Sequence, residues 1–139
     1  MALQQAGIDT TGHTFWLDIE KLSWSTNKTT NQAFVKGMVD EIKNLPTGTE
    51  LAIYSNYYMW EEIVGLDWKY PEEKGLKLWY AHYDNMRNFS DFKSFGGWAH
   101  PVAKQFKGTT KTSCGPSVDY NLANKAQFHA RKDENMFLY

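Results

Sequence analysis

An α/β fold with a parallel sheet is what this sequence predicts, and three observations point to it. Segments of strand and helix pattern alternate through the first half of the chain, in the order strand, helix, strand, helix, strand. The first strand, Phe15-Trp16-Leu17-Asp18-Ile19-Glu20, carries bulk at consecutive positions, so both of its faces are covered. Helix periodicity is clear between it and the next strand: Phe34, Val35, Met38, Val39, Ile42 and Leu45 recur at helical spacing.

The elements follow in order. Residues 1–6 have the pattern of a helix end closed by Gly7. Residues 14–20 form the first strand. A helix capped at Thr29 or Thr30 runs to about Asn44, and Pro46 and Gly48 end it. Leu51 to Asn56 is a second strand, Met59 to Val64 a short helix, and Leu76 to Tyr83 a third strand. Phe89 to Trp98 is an aromatic loop hinged at Gly96-Gly97. Val102 to Phe106 is a fourth strand, and Val118 to Asn121 a fifth after the Gly115-Pro116 turn. Residues 123–136 have the composition of a polar terminal helix. Five strands fall short of a complete eight-stranded barrel, which typically takes about 250 residues.

Composition sets limits on function. The 139 residues suffice for one domain with a real core. A formal net charge of −1 gives no basic footprint for nucleic acid. No apolar run reaches membrane-spanning length, and the opening Met1-Ala-Leu-Gln-Gln lacks the pattern of a signal peptide. Cys114 is the single cysteine, so no disulfide forms within the chain. His13, His82, His100 and His129 show no metal-ligand spacing, and no phosphate loop appears, so no metal and no cofactor are expected.

The chemistry concentrates at strand ends. Alternation places Trp16, Asp18 and Glu20 on one face, with the two acids about 7 Å apart at the backbone. Like charges this close resist joint ionisation, so one pKa should rise, and a carboxyl that keeps its proton near neutrality can act as a general acid. Taken alone, Asp-x-Glu is more often a solvated strand end. Trp79 and Tyr83 share a face of the third strand, and Tyr54 and Asn56 share one of the second. Core packing is the ordinary reading of such rings, and stacking on a sugar is the functional one. Asp119 and Asn121 share a face of the last strand, which by itself is no more than a turn signal.

Six motifs in order carry a resemblance: Phe15-Trp16-Leu17-Asp18-Ile19-Glu20, Ile53-Tyr54-Ser55-Asn56, Leu78-Trp79-Tyr80-Ala81-His82-Tyr83, Lys104-Gln105-Phe106, Cys114-Gly115 and Val118-Asp119-Tyr120-Asn121. Together, over residues 14–121, the set resembles glycoside hydrolase family 25, the Chalaropsis-type lysozymes. The loop Phe89-Ser90-Asp91-Phe92 to Phe95-Gly96-Gly97-Trp98 is similar to that of amoebal and nematode members.

The resemblance implies a partial, irregular TIM-like barrel, with strands corresponding to the fourth to eighth of the family. It also implies hydrolysis of the β-1,4 bond between N-acetylmuramic acid and N-acetylglucosamine in peptidoglycan. Glu20 matches the general acid, Asp18 its partner carboxylate, and Asp119 the acid on the last strand. Tyr54, Trp79 and Tyr83 match cleft-lining positions. Family members are secreted or act in lysosomal or phagosomal compartments. The family's first strand, with its own active-site Asp, and the two after it have no match. The expectation is therefore one catalytic domain over 1–139, truncated at its amino end, with an unmatched tail at 123–139. Such a chain is either a lysozyme, or the recorded part of one, or an inactive remnant that still binds sugar.

Overall fold

A computed structural model describes residues 11–42, 44, 45, 48–124 and 126. The elements are β1 (Thr14–Asp18), α1 (Lys28–Ile42), β2 (Glu50–Ser55), α2 (Tyr57–Ile63), α3 (Tyr70–Glu73), β3 (Lys77–Ala81), β4 (Ala103–Lys111) and β5 (Ser117–Ala123). They build one curled sheet in the order β1-β2-β3-β4-β5, half of a TIM-like α/β barrel. The first four strands run parallel and β5 returns antiparallel to β4. The return is a hairpin through Thr112 to Pro116, too short for a crossover helix. Cys114 sits exposed in that turn. The helix end expected at 1–6 lies outside the described residues. Of the terminal helix expected at 123–136, residue 123 belongs to β5, 124 and 126 are not helical, and the rest lies outside the described residues.

Strand alternation gives the sheet two chemically distinct faces. On the helix-covered face, Ile19, Ile53, Leu78 and Tyr80 form a core with Val35 and Val39 of α1 and with Trp60. Val35 and Val39 lie on one helical stripe with Asn31, also buried. Asn31 is satisfied at that depth. Its Nδ2 donates to the carbonyls of Ser25 and Ile63, both at 2.8 Å, and its Oδ1 accepts the Ser25 N–H. Phe34, read from the pattern as an apolar helix position, is instead exposed and meets Trp24 edge-on. The cap also differs from expectation. Asn27, not Thr29 or Thr30, caps the helix: its side chain accepts a first-turn N–H, that of Thr30. Asn56 does the same for α2, accepting from Met59 N at 2.9 Å, which starts that helix two residues before Met59.

The aromatic loop before β4 closes the core. Trp60 lies 5.1 Å from Trp98 and 6.1 Å from Phe95 between ring centroids. Trp98 Nε1 donates to Leu76 O at 2.8 Å. Gly96 is required here, because its φ is +57° and a Cβ would sit 2.7 Å from Trp98 and 2.9 Å from Trp60 Nε1. Gly96→Ala is expected to cost about 2 kcal/mol or more through strain and overpacking. Thermal unfolding followed by circular dichroism measures it, and an unchanged midpoint would contradict this packing. No helix among the described residues is long and apolar enough to cross a membrane.

Candidate active site

The inner, concave face of the sheet carries the polar chemistry. Register places Asp18 beside Tyr54, Tyr54 beside Trp79, and Ala81 beside Gln105, which in turn faces Asn121 across the antiparallel pair. Trp79 is the aromatic centre of this face. Its ring centroid is 4.6 Å from Tyr54 and 5.4 Å from Trp16, both in edge-on geometry.

The two acids of β1 lie at its carboxyl end. Glu20 follows the strand directly, and Ile19 between the acids is fully buried on the opposite face. Asp18 and Glu20 therefore share a side, as alternation predicts. Partial desolvation raises the pKa of Asp18, and the neighbouring Glu20 carboxylate raises it further. Of the pair, Asp18 is a carboxyl whose pKa is raised, in line with the rise expected for one of two neighbouring acids. Tyr54 links the acids to the rest of the face. Burial pushes its hydroxyl far above the ordinary phenol range, with Tyr83 and then Glu20 adding to the effect.

Gln105 joins the remaining residues. Tyr54 and Tyr83 donate to its Oε1 at 2.6 and 2.8 Å, and its Nε2 donates to Asp119 Oδ2 at 2.9 Å. Asp119 Oδ1 accepts the backbone N–H of Thr109 at 2.7 Å. Thr109 has φ +47°, an uncommon conformation for a β-branched residue, at a point where the β4–β5 register shifts.

Behind the sheet lies a second polar cluster. Lys104 is fully buried, and its Nζ donates to Asp84 Oδ2 at 2.8 Å, Asp91 Oδ1 at 2.6 Å and Asn88 O at 3.2 Å. His82 Nδ1 and Tyr80 OH lie 2.6 and 3.0 Å from Asp91. His82, Asp84 and Asp91 stand close enough to hold a metal ion. The Lys104 ammonium already answers both carboxylates, so the cluster functions as an ion network that pins the loop after β3.

A family model described as Lysozyme-like protein 1 matches residues 1–106. The chain belongs to this lysozyme-like family. It is 46% identical over 108 residues to Lysozyme-like protein 5 of Caenorhabditis elegans, covering 78% of this chain and 48% of that protein. It is 34% identical over 106 residues to Probable GH family 25 lysozyme 4 of Dictyostelium discoideum, covering 76% and 47%. Among solved structures, the muramidase from Trichobolus zukalii superposes with a TM-score of 0.59 at 25% identity, covering 81% of this chain and 52% of that one. The muramidase from Acremonium alcalophilum matches at 0.52 and 17% identity over the same shares, a likeness of fold. The chain spans about half the length of the curated relatives it matches.

Within this family frame, Asp18, Glu20, Tyr54, Trp79, Tyr83 and Asp119 fall on one continuous face. Sequence reasoning gave no role to Gln105 or Trp16. Gln105 stood inside a quoted motif, and the available signal was a polar residue alternating with Phe106 in an expected strand. Trp16 shares the alternation of Asp18, which was signal enough to place it on this face beside Trp79.

Proposed function

We propose that this concave face is the acid-bearing wall of a lysozyme cleft, and that it serves hydrolysis of the β-1,4 bond between N-acetylmuramic acid and N-acetylglucosamine in peptidoglycan. The observation that carries this reading is the continuous chain of contacts from the Asp18 and Glu20 pair, through Tyr54 and Gln105, to Asp119. Glu20 is the proton donor to the glycosidic oxygen. Asp18, ionised beside it, steadies positive charge or the acetamido group as the bond breaks. Asp119, fixed through both of its oxygens, orients the nucleophile, either the substrate's own acetamido group or water. Tyr54, Trp79 and Tyr83 line the sugar path. Residues 1–139 belong to a single catalytic domain in this reading, and the inferred substrate implies a secreted, lysosomal or phagosomal setting.

A second reading is a sugar-binding module with little turnover of its own. It is favoured by the chain's spanning about half the length of its relatives. One experiment separates the two: release of reducing sugar from purified bacterial cell wall, run alongside co-sedimentation of the chain with the same wall. Release with sedimentation supports the lysozyme, and sedimentation without release supports the binding module. Absence of both rejects the cleft. Where release occurs, Asp119→Asn should slow it by about tenfold to a hundredfold, less than Glu20→Gln does. An Asp119→Asn protein with unchanged release would remove Asp119 from the site.

A further inference from the structure

We propose that Gln105 is the positioning residue that sets the hydrogen-bond polarity of this cleft. The inference rests on the cleft reading above and adds a residue and a direction to it. Gln105 is 5% exposed and reaches three partners that come from three different segments: Tyr54 at the end of β2, Tyr83 after β3, and Asp119 in β5. An amide side chain has one donor end and one acceptor end. Asp119 can only be met by the donor end, because its oxygens accept from Gln105 Nε2 and from Thr109 N. That leaves the Gln105 carbonyl facing both tyrosines, so both phenols must donate to it. The raised pKa of Tyr54 fits a hydroxyl that keeps its proton.

This arrangement has a consequence for the ligand. A phenol that donates to Gln105 retains its oxygen lone pairs for other partners. Tyr83 therefore presents an acceptor, suited to the N–H of an N-acetylated sugar or to a sugar hydroxyl, while the buried Tyr54 hydroxyl stays enclosed by Gln105, Tyr83 and Glu20. Tyr83 is 61% exposed, so its acceptor is open to an incoming chain. Its ring is seated against Gly108, where a Cβ would come within 3.1 Å of Cζ. Gln105 thus holds two phenols, one of them open to an incoming chain, and one carboxylate in fixed relative orientation without touching the substrate.

The test uses the 139-residue chain, with chitotetraose as the probe and tryptophan fluorescence as the binding readout. Gln105→Leu removes both ends of the amide and should weaken binding about tenfold or more. Gln105→Glu is the decisive variant. In its protonated form the new carboxyl accepts from the tyrosines and donates to Asp119, as the amide does, whereas its ionised form cannot donate. Binding by Gln105→Glu relative to wild type should be near unity at about pH 4.5 and fall about tenfold by about pH 8. A purely space-filling role predicts the same ratio at both pH values, and that result would overturn the proposal. Hydrogen exchange of the Gln105 side-chain NH2, followed by nitrogen-edited NMR, is independent of sugar. It should be slowed in wild type and accelerated by Asp119→Ala. A Gln105 amide that exchanges as a free side chain in wild type overturns the assignment. If wild type binds no chitotetraose, the cleft reading falls, and the exchange rates alone decide for or against Gln105.

Discussion

Lys104→Met should destabilise the protein by about 3–5 kcal/mol, the largest loss expected from a single substitution behind the sheet. Lys104 has no exposure to solvent, and its ammonium answers two carboxylates and a carbonyl. Removing it leaves Asp84 and Asp91 facing each other with only the largely exposed His82 imidazole beside them. The penalty comes from that abandoned pair more than from the lost bonds, since net hydrogen-bond contributions are only about 1 kcal/mol each. Changing Asp84 and Asp91 to Asn in the Lys104→Met background should therefore restore part of the loss. Urea denaturation followed by circular dichroism is the measurement, and a loss under about 1 kcal/mol would refute the cluster's structural role. The pH dependence has a definite sign. Burial alone would raise both acids, yet the Lys104 hydrogen bonds prevail and hold Asp84 and Asp91 below the ordinary value of 3.8. Their stabilisation is complete above that value and is lost as pH falls through the lowered folded-state pKa values.

Glu20→Gln should reduce cell-wall turnover by about 10²–10⁴-fold, the range of general acid catalysis, in whichever form of the protein lyses cell wall, this chain or a longer one containing it. The amide is close in shape to the acid but cannot give a proton to a leaving oxygen. Glu20 lies past the end of β1, half-exposed, and the core residue beside it is Ile19, so the fold should tolerate the change. Unfolding midpoints within experimental scatter of wild type, together with the turnover loss, separate chemistry from stability. Wild-type turnover by Glu20→Gln would show that another group delivers the proton.

Much of the fold was legible in the sequence because its signals are local. β1 to β3 and α1 announce themselves through alternation and helical period, and the structure moves their ends by only a few residues. The caps were harder. Asn27 and Thr29 both suit a helix start, and only the hydrogen bond from Thr30 N distinguishes them. The acid pair could be assigned to one face because a strand's period is fixed. Which acid has the raised pKa depends on the solvation of Asp18, a property of the whole cleft. Gln105 and Lys104 were invisible as centres of networks, because their partners lie 13 to 51 residues away and no spacing rule connects them.

Those two residues are neighbours on β4, and their adjacency has a consequence for folding. Lys104 points to the ion network behind the sheet and Gln105 to the cleft in front. A slip of β4 by one residue would send every side chain to the opposite face. It would carry an ammonium toward the tyrosines and leave an uncharged amide between Asp84 and Asp91. β4 also meets β5 through two irregular steps, where mispairing would otherwise be easiest. The strand thus proofreads its own alignment: only one registration satisfies both clusters at once, and that same registration delivers Asp119 to the cleft.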